Sequence, residues 1–540
     1  MFAALVTSLA LYVTWAISWR FLRKLASDSL PGPAPSSRIF GNIPDFFSPK
    51  GWEYHRNLLE RYGGVVKMRG FMGERLLAVH DPAAIYSILV KDQEDYGLSI
   101  PQLLRQELIL GPGLLAVHGD QHRKQRKLMN PVFSAKHLRD LVPLFYEVAE
   151  RLRAVLRKQL ENGPQEIDAL FWIHRTALEI IARSGMDYSF DTLEGNDQHP
   201  YSVAVKGLPG LATGPAGFLV PRLVLPYTAK IKLPRLKRFI VERLPLQRVK
   251  ALIHASDTMH RTSVDIIETK KKAMESTHPE VVAEMANKKD IISLLMRANA
   301  QAAEEDRLSD EEVIGQVSTF VFAAMDTTTS GVTRILHLLA TNQDVQDKLR
   351  KEILEAQEFG QVDYDKLSLS PLLDAVCRET LRLYPPIPIM PPRMASRDMV
   401  LPLSKPIVDL NGKQLTEVIV EKGTNIVISN LASNRNPEIW GDDVLEWKPE
   451  RWLSPPRKSV VEARTPGLYS HLMTFGVGSR GCIGFKFSQL EMKVLLSVLL
   501  SSFKFSLTDK PIGWRMSGIV SPIVEGNEGK LQLPLQMSLV

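Results

Sequence analysis

The longest amphipathic pattern in the chain begins at residue 309. Ser309 and Glu312 form a capping box, and Leu308 can pack on Val313 as a hydrophobic staple. Apolar residues then recur at helical spacing to about Leu339. The pattern predicts a helix of about thirty residues, or about 45 Å, which is long enough to cross a whole domain.

The rest of the body is mostly helical in pattern, with a few short strand-like runs. These runs are residues 65–68, 75–79, 418–420 and 425–428. We find no internal repeat and no low-complexity linker after Ser37. The sequence therefore predicts a mainly α body with small β-sheets, folded as a single large domain from residue 38 to residue 540.

Residues 1–19 form an apolar run without a charged residue. As a helix this run reaches about 28 Å, close to the ~30 Å hydrocarbon core of a bilayer. Arg20, Arg23 and Lys24 follow directly, and the positive-inside rule places them on the cytoplasmic side. We therefore expect a transmembrane anchor. A cleaved signal peptide is the alternative, although it would need a basic start and a shorter apolar run.

A basic and proline-rich hinge, residues 20–37, follows the anchor. Pro31, Pro33 and Pro35 stand at alternate positions. Each proline fixes its backbone and removes an N–H donor, so the segment favours an extended, stiff conformation without helix or sheet. It is predicted to be a spacer between the anchor and the body.

Composition narrows the class of protein only slightly. With 44% hydrophobic and 24% charged residues the chain is an ordinary globular protein. Two cysteines argue against a disulfide framework, and Cys377 is predicted to be a small core residue in a buried helix. The net charge of +7 and the pI near 9.1 indicate an anionic partner or surface. Nucleic acid is not expected, because the basic residues are scattered and match no nucleic-acid motif.

The middle of the long helix is unusually polar. Residues 326–330 place the Asp326 carboxylate and four hydroxyls, beginning with Thr327, in an otherwise apolar stretch. Hydroxyl side chains compete for backbone carbonyls, so a local break that opens a polar notch is expected. The alternative is a solvent-exposed polar patch on a long helix.

Residues 475–484, FGVGSRGCIG, hold Cys482 in a glycine-rich loop ahead of an apolar, helix-like run. The glycines allow backbone N–H groups to turn toward the sulfur, and the following helix start favours negative charge, so a lowered thiol pKa is expected. Arg480 offers a fork of donors that suits a carboxylate such as a propionate. A free cysteine capping a helix in an apolar core is the alternative.

The loop reproduces the F-x-x-G-x-R-x-C-x-G signature and so resembles the haem-thiolate monooxygenases of the cytochrome P450 superfamily. The AAMDTT form of residues 323–328, and His122 in place of the family's usual tryptophan, look like membrane-bound fungal microsomal members. The resemblance implies haem b with Cys482 as the axial ligand of the iron, and Phe475 and Arg480 as cofactor-binding residues. Residues 323–328, AAMDTT, look like the oxygen-activation motif of the family, with Ala324 in place of its usual glycine. Asp326 and Thr327 would then relay protons during oxygen activation.

Three further elements occur in the order of the family. Glu379 and Arg382 match its E-x-x-R and share a helix face, and Arg451 lies in a P-E-R element. The resemblance implies a buried ionic triad that locks the loop before the cysteine.

The remaining cofactor contacts are expected from residues upstream of the triad. Residues 122–126 align with W-x-x-x-R, with His122 replacing the tryptophan and Arg126 retained. Both residues, and Arg393, are candidates for binding the haem propionates.

The resemblance also implies a redox partner, an NADPH-dependent flavoprotein reductase that supplies electrons through its flavins. Basic residues could meet an acidic surface on that partner, or could simply be solvated. They are Arg123, Lys124, Lys127, Lys486 and Lys493.

Residues 207–246 mix bulky apolar residues, prolines and glycines with a basic stretch. In similar membrane-bound enzymes the corresponding region is a lid that dips into the lipid, which would suit an anionic cytoplasmic leaflet. An ordinary surface helix pair is the alternative. The lid would admit lipophilic substrates, and terpenoids, polyketides, steroids and fatty acids all remain open.

The expected activity is insertion of one oxygen atom from O2 into a lipophilic small molecule, as a hydroxylation in secondary, terpenoid-like metabolism. The expected location is the endoplasmic reticulum membrane, single-pass, with the catalytic domain facing the cytoplasm. Two alternatives keep the haem: a peroxide isomerase or peroxygenase that needs no reductase, and a non-catalytic haem sensor.

Overall fold

The computed structural model describes residues 26–540 except for a few internal positions. Those positions are residues 192, 195–198, 213, 224, 229–235, 237–238, 240–241, 244–246 and 358–361. The predicted anchor, residues 1–19, lies outside the described residues. So do most of the basic residues of the 207–246 segment: Lys230, Lys232, Arg235, Lys237 and Arg238.

Helices make up most of the body, as the sequence predicts. The longer ones are α1 (Trp52–Tyr62), α2 (Ile100–Leu110), α3 (Gly119–Met129), α4 (Ala135–Gln159), α5 (Ala169–Met186), α6 (Pro200–Ala212), α7 (Gly214–Leu223), α8 (Gln247–Met274), α9 (Pro279–Asn287), α10 (Ile291–Gln301), α11 (Asp310–Thr341), α12 (Gln343–Gln357), α13 (Pro371–Leu383) and α14 (Phe485–Leu500). Shorter α-helical segments are Ile43–Phe46, Pro82–Tyr86, Leu225–Thr228, Tyr364–Leu369, Asn430–Asn434, Pro437–Trp440 and Lys458–Ala463.

The strands are short and form small sheets. They are β1 (Val65–Arg69), β2 (Arg75–Val79), β3 (Tyr96–Leu98), β4 (Gln165–Asp168), β5 (Arg393–Ala395), β6 (Met399–Val408), β7 (Gln414–Val420), β8 (Asn425–Ile428), β9 (Phe503–Leu507), β10 (Ile512–Arg515), β11 (Ser521–Val524) and β12 (Pro534–Leu539). The largest sheet has the order β1-β2-β8-β5-β3, and a second has the order β4-β12-β9. The strands predicted near 65, 75, 418 and 425 are confirmed as β1, β2, β7 and β8.

The central element is α11, which carries the predicted capping box. Ser309 accepts from the N–H of Glu312, and the Glu312 carboxylate accepts from the N–H of Ser309. Buried residues recur along the whole helix, which packs against α5, α8, α13 and α14. The long helix predicted from the pattern is therefore confirmed, and it forms the middle of the main hydrophobic core.

The expected break in α11 near residue 326 is wrong, because the helix is continuous from Asp310 to Thr341. Two of the hydroxyls, of Thr327 and Thr329, donate to carbonyls of their own helix four residues back, and the other two have partners on neighbouring segments. Thr327 Oγ1 donates to the carbonyl of Ala323 at 2.7 Å, four residues back. Ala324 is a strong helix former and also favours an intact helix.

The start of the described chain packs on the strand-rich part of the body. Leu30 is 1% exposed, and the N–H of Lys67 in β1 donates to the carbonyl of Pro31 at 3.0 Å. Residues 31–35 have no regular secondary structure. Within residues 26–540, as far as they are described, no helix has both the length and the apolar character needed to span a bilayer.

Buried His80 makes stability depend on pH. It follows β2, is 1% exposed, and neither ring nitrogen has a hydrogen-bond partner among the described residues. Burial, with a smaller contribution from His55, lowers the pKa of His80 to about 3. In the unfolded chain a histidine takes up a proton near pH 6.5, whereas the folded chain does not until near pH 3. This contribution to stability is complete above pH 6.5 and is lost as the pH falls.

We predict that His80→Leu flattens the acid side of the stability profile. Between pH 6 and pH 4 the variant should lose about 1.4 kcal/mol less per pH unit than the wild type. Chemical denaturation at several pH values, with the same buffer ions, measures this difference. Parallel profiles for the two proteins would contradict the prediction.

Candidate active site

The cysteine loop is a compact turn closed by backbone hydrogen bonds. The N–H of Cys482 donates to the carbonyl of Phe475 at 2.8 Å, and the N–H of Gly481 donates to the carbonyl of Gly478 at 3.1 Å. Gly476 and Gly478 have φ of 64° and 73°, a backbone conformation that favours glycine. The loop ends where α14 begins, so the cysteine lies beside a helix N-terminus.

Cys482 combines an accessible side chain with a crowded sulfur. Its side chain is accessible to solvent, yet protein surrounds the sulfur closely enough that burial raises the pKa of its thiol. The N–H of Gly484 and the guanidinium of Arg126 lower that pKa only in part. The expectation of a lowered pKa is therefore wrong for the protein alone, since loss of solvent outweighs the donors. A bound metal ion would itself stabilise the thiolate.

Four basic side chains from three elements lie close together near Cys482. His122 and Arg126 come from α3, Arg393 from β5 and Arg480 from the cysteine loop. Burial, followed by the charges of Arg480, Arg126 and Arg393, lowers the pKa of His122 to about 3. Burial and the other two arginines lower the pKa of Arg480 to about 10. Because the charges of these groups lower one another's pKa, the groups must lie close together in the structure, although their three elements are far apart in the sequence.

Backbone carbonyls hold two of these arginines in place. Arg126 Nη1 donates to the carbonyl of Gly481 at 2.5 Å, directly before the cysteine. Arg480 donates to the carbonyls of Leu114 at 3.3 Å and Val117 at 2.5 Å. The arginines are therefore fixed by neutral acceptors and keep their positive charge available.

The cluster fits the carboxylates of a haem. Within the part of the chain that the structure describes, no Asp or Glu forms an ion pair with Arg126, Arg393 or Arg480, and the Nε of buried Arg393 has no hydrogen-bond partner. Buried cations without a counter-charge are costly, and guanidinium groups suit carboxylates. A thiol beside such a cluster is the arrangement that a haem-thiolate protein needs, with iron at the sulfur and propionates at the cations.

Asp326 and Thr327 lie in the middle of α11. Thr327 Oγ1 is hydrogen-bonded to its own helix, as described above. The Asp326 side chain is 20% exposed, and its Oδ1 is 3.1 Å from Nε2 of His174 on α5. The polar stretch therefore does not form an open surface patch, because Thr328, Thr329 and Ser330 are buried and Asp326 and Thr327 are partly buried.

Glu379, Arg382 and Arg451 meet in the interior. Arg382 donates to both carboxylate oxygens of Glu379, at 2.9 and 2.8 Å, and both side chains are fully buried. Arg451 Nε lies 3.4 Å from the same carboxylate. Trp452 Nε1 donates to it at 2.9 Å, and the N–H of Lys448 donates at 3.1 Å. The carboxylate is thus surrounded by donors, which a buried ion pair requires.

Hydrogen bonds connect this ion pair to the cysteine loop. Arg382 Nη1 donates to the carbonyl of Asn434 at 3.2 Å. The Asn434 side chain accepts from the N–H of Met473 at 2.8 Å and donates to Thr474 Oγ1 at 2.9 Å. Met473 and Thr474 directly precede the FGVGSRGCIG sequence, so the position of the loop depends on the ion pair.

Sequence reasoning missed an amide network that joins α3 to α11. Gln316 Nε2 donates to Gln125 Oε1 at 2.9 Å, and Gln125 donates to the carboxylate of Glu312 at 2.9 Å. Gln316 Oε1 also accepts from the N–H of Leu114, in the segment that holds Arg480. The sequence contains only a weak indication of this network. Gln125 adjoins the predicted site residue Arg126, but no pattern in the sequence pairs Gln125 with Gln316.

The basic residues expected near a redox partner are not equivalent. Arg123, Lys127 and Lys486 are exposed, the first two in ion pairs with neighbouring acidic groups. Lys493 is buried, and its Nζ lies 2.8 Å from Asp374. The expectation of a surface role for Lys493 is therefore wrong, because α14 is an interior helix.

Comparison with known proteins identifies the family. The cytochrome P450 family model matches residues 31–525. Cytochrome P450 monooxygenase 91 from Postia placenta is 48% identical over 514 residues, covering 95% of this chain and 94% of the relative. Ganoderic acid synthetase from Ganoderma lucidum is 41% identical over 534 residues, covering 98% and 97%. The fold and site thus define a haem protein, and the chain belongs to the cytochrome P450 family.

Family membership fixes the coarse chemistry. It implies a haem cofactor, O2, a lipophilic substrate and a redox partner, and cytochrome P450 monooxygenases are oxidoreductases. The predicted resemblance to fungal members is confirmed, since the relatives named above are fungal.

We predict that Arg382→Ala removes haem binding together with stability. The change leaves the Glu379 carboxylate buried without its main partner, at a cost of about 3–5 kcal/mol. Haem content per protein and the chemical denaturation midpoint measure the result. The control is Lys351→Ala, which removes an exposed lysine from an i,i+4 pair on α12 and should behave like wild type. Full haem content in Arg382→Ala would contradict the prediction.

Gly478 should not tolerate a side chain. A Cβ there would lie 1.9 Å from the carbonyl oxygen of Leu89, and its φ is positive. We expect Gly478→Ala to lose at least about 1–2 kcal/mol and much of its haem, because the loop must shift. Gly518→Ala is the matched control, since its Cβ meets no atom within 4 Å. Equal haem content in the two variants would show that the loop adapts.

Proposed function

We propose that the protein is a membrane-anchored haem-thiolate monooxygenase that inserts one oxygen atom from O2 into a lipophilic substrate. The observation that carries the proposal is a group of three buried or half-buried cations beside Cys482, Arg126, Arg393 and Arg480, which have no carboxylate partner among the described residues and which have neutral His122 next to them. Together with family membership, this arrangement favours a bound haem over a free structural cysteine.

The chain's own residues bind and orient the cofactor. Cys482 would ligate the iron, Phe475 at the start of the loop would help to hold the cofactor, and Arg126, Arg393 and Arg480 would bind the propionates, with His122 as a neutral neighbour. The triad of Glu379, Arg382 and Arg451 fixes the loop that carries the sulfur. When bound, the haem supplies the oxidising chemistry, in which one oxygen atom enters the substrate and the other leaves as water.

Proton supply is assigned to α11. Asp326 holds a carboxylate on a partly accessible face of the helix, and Thr327 presents a hydroxyl next to it. The hydroxyl of Thr327 already donates to the carbonyl of Ala323, so its oxygen can accept a hydrogen bond from a neighbouring donor. This polar pair in an otherwise apolar helix is what proton delivery into a dry pocket requires.

Electrons come from NADPH through a flavoprotein reductase. Exposed Arg123, Lys127 and Lys486 support an encounter with an acidic partner, mainly by raising the association rate. The apolar run of residues 1–19 supports a single-pass anchor in the endoplasmic reticulum membrane, with the body in the cytoplasm. Residues 207–246 support access of substrate from the lipid.

The substrate is proposed to be a secondary metabolite, of terpenoid-like character. Support comes from the relative named ganoderic acid synthetase, which covers nearly the whole chain. A peroxide isomerase or peroxygenase is disfavoured by the intact Asp326–Thr327 pair, since such enzymes can dispense with proton delivery.

The test is a carbon monoxide difference spectrum on reduced microsomes, with the wild type beside Cys482→Ala. We expect a strongly red-shifted Soret band in the wild type only, because thiolate ligation changes the electronic character of the iron. Cys377→Ala is the matched control: it removes the other cysteine, which is buried in α13, and should keep the band. A well-folded wild type without the band would overturn the proposal.

Dependence on NADPH and reductase then separates the alternatives. A monooxygenase consumes NADPH only when reductase is present, whereas a peroxygenase forms product from hydrogen peroxide alone. A haem sensor binds ligand reversibly and forms no product. Substrate screening against lipophilic terpenoids follows only from the first outcome.

A further inference from the structure

His174 is a buried histidine that none of the family motifs includes. It lies on α5, its side chain is 7% exposed, and its sequence neighbours Trp172 and Ile173 are also buried. Burying an imidazole among apolar groups costs free energy unless a polar partner compensates for the lost water. A polar residue at this position of a core helix therefore needs a partner nearby.

That partner is Asp326. His174 Nε2 lies 3.1 Å from Asp326 Oδ1, across the contact between α5 and α11. The nitrogen has no well-aligned hydrogen bond among the described residues, and it lies within ion-pair distance of the carboxylate, which attracts the imidazole when the ring is protonated. Such an attraction is stronger in a poorly solvated interior than at the surface.

Asp326 and Thr327, which are neighbours on α11, are thus held in different ways. Thr327 is fixed by its own helix, through the carbonyl of Ala323. For the Asp326 carboxylate the described residues show no hydrogen bond to its own helix, and Nε2 of His174 on α5 lies within ion-pair distance of it. The direction in which this carboxylate points is therefore decided by a neighbouring helix.

We propose that His174 is a positioning residue for Asp326, holding its carboxylate in the orientation from which it supplies protons. The inference rests on the proposed function, because it assigns to Asp326 the proton-supplying role. The alternative is a purely structural ion pair that joins α5 to α11. That alternative predicts a change in stability but no selective change in turnover.

The experiment compares two rates in the full-length protein with a microsomal NADPH-dependent flavoprotein reductase. Reduction by NADPH without oxygen, trapped by carbon monoxide, needs no proton supply. Aerobic NADPH consumption needs it. We expect His174→Phe, which keeps a ring of similar size, to lower aerobic consumption about tenfold while the trapped reduction changes by less than about twofold.

A conservative variant and a matched control sharpen the comparison. His174→Gln keeps a donor and should recover much of the aerobic rate. Ser184→Ala removes another buried polar group of α5, whose hydroxyl donates within its own helix at 2.5 Å, and should leave the ratio of the two rates unchanged. In an Asp326→Asn background, His174→Phe should produce no further loss.

A second readout does not depend on turnover. Thermal unfolding midpoints are measured for His174→Phe, Asp326→Asn and the double variant. Because the two side chains interact directly, we expect the shift of the double variant to be smaller than the sum of the single shifts. Additive shifts would overturn the inference.

The outcomes distinguish the inference from the function on which it rests. A wild type without the red-shifted carbon monoxide band overturns the proposed function. A wild type with the band, together with a His174→Phe variant whose rate ratio equals that of Ser184→Ala, overturns only the positioning role. A parallel fall of both rates also overturns it, since that is the result of a purely structural defect.

Discussion

The structure depends first on the buried ion pair between Glu379 and Arg382. Two fully buried charges are tolerated because donors surround the carboxylate and carbonyls take up the remaining guanidinium hydrogens. Through Asn434 the same pair fixes the residues that precede the cysteine loop. An interaction of little net value to stability can still be decisive, because removing either partner leaves an uncompensated charge in the core and releases the loop.

The basic cluster near Cys482 differs from this ion pair, because its charges are of one sign and have no counter-charge among the described residues. Arg126, Arg393 and Arg480 repel one another, burial makes that repulsion stronger, and burial together with these charges keeps His122 neutral. The ion pair and the amide network between α3 and α11 hold these groups close in spite of the repulsion. The protein therefore keeps a region of unfavourable charge ready for an anionic ligand, and the stability of the surrounding helices makes this possible. In the proposed function, the propionates of the haem relieve that repulsion.

Much of the fold followed from local patterns. The capping box and apolar spacing located α11, and short β-rich runs located four of the strands, because these signals act over a few residues. The expected break at Asp326 failed for a physical reason: two of the hydroxyls share a carbonyl that the helix already uses, and the other two bond to neighbouring segments. The expected surface role of Lys493 failed for a different physical reason. A lysine reads as a surface residue from sequence, and only the packing of α14 showed that it is buried beside Asp374.

The sequence by itself determined the family, the mainly helical class, the cysteine and the order of the motifs, because each of these is written in residues close together along the chain. Tertiary structure alone decided which distant groups meet: Gln125 with Gln316, His174 with Asp326, and the three arginines from separate elements. It also decided that burial raises the thiol pKa of Cys482. Spacing along a chain cannot reveal such contacts or the loss of solvent around them, since both arise only when helices and strands pack.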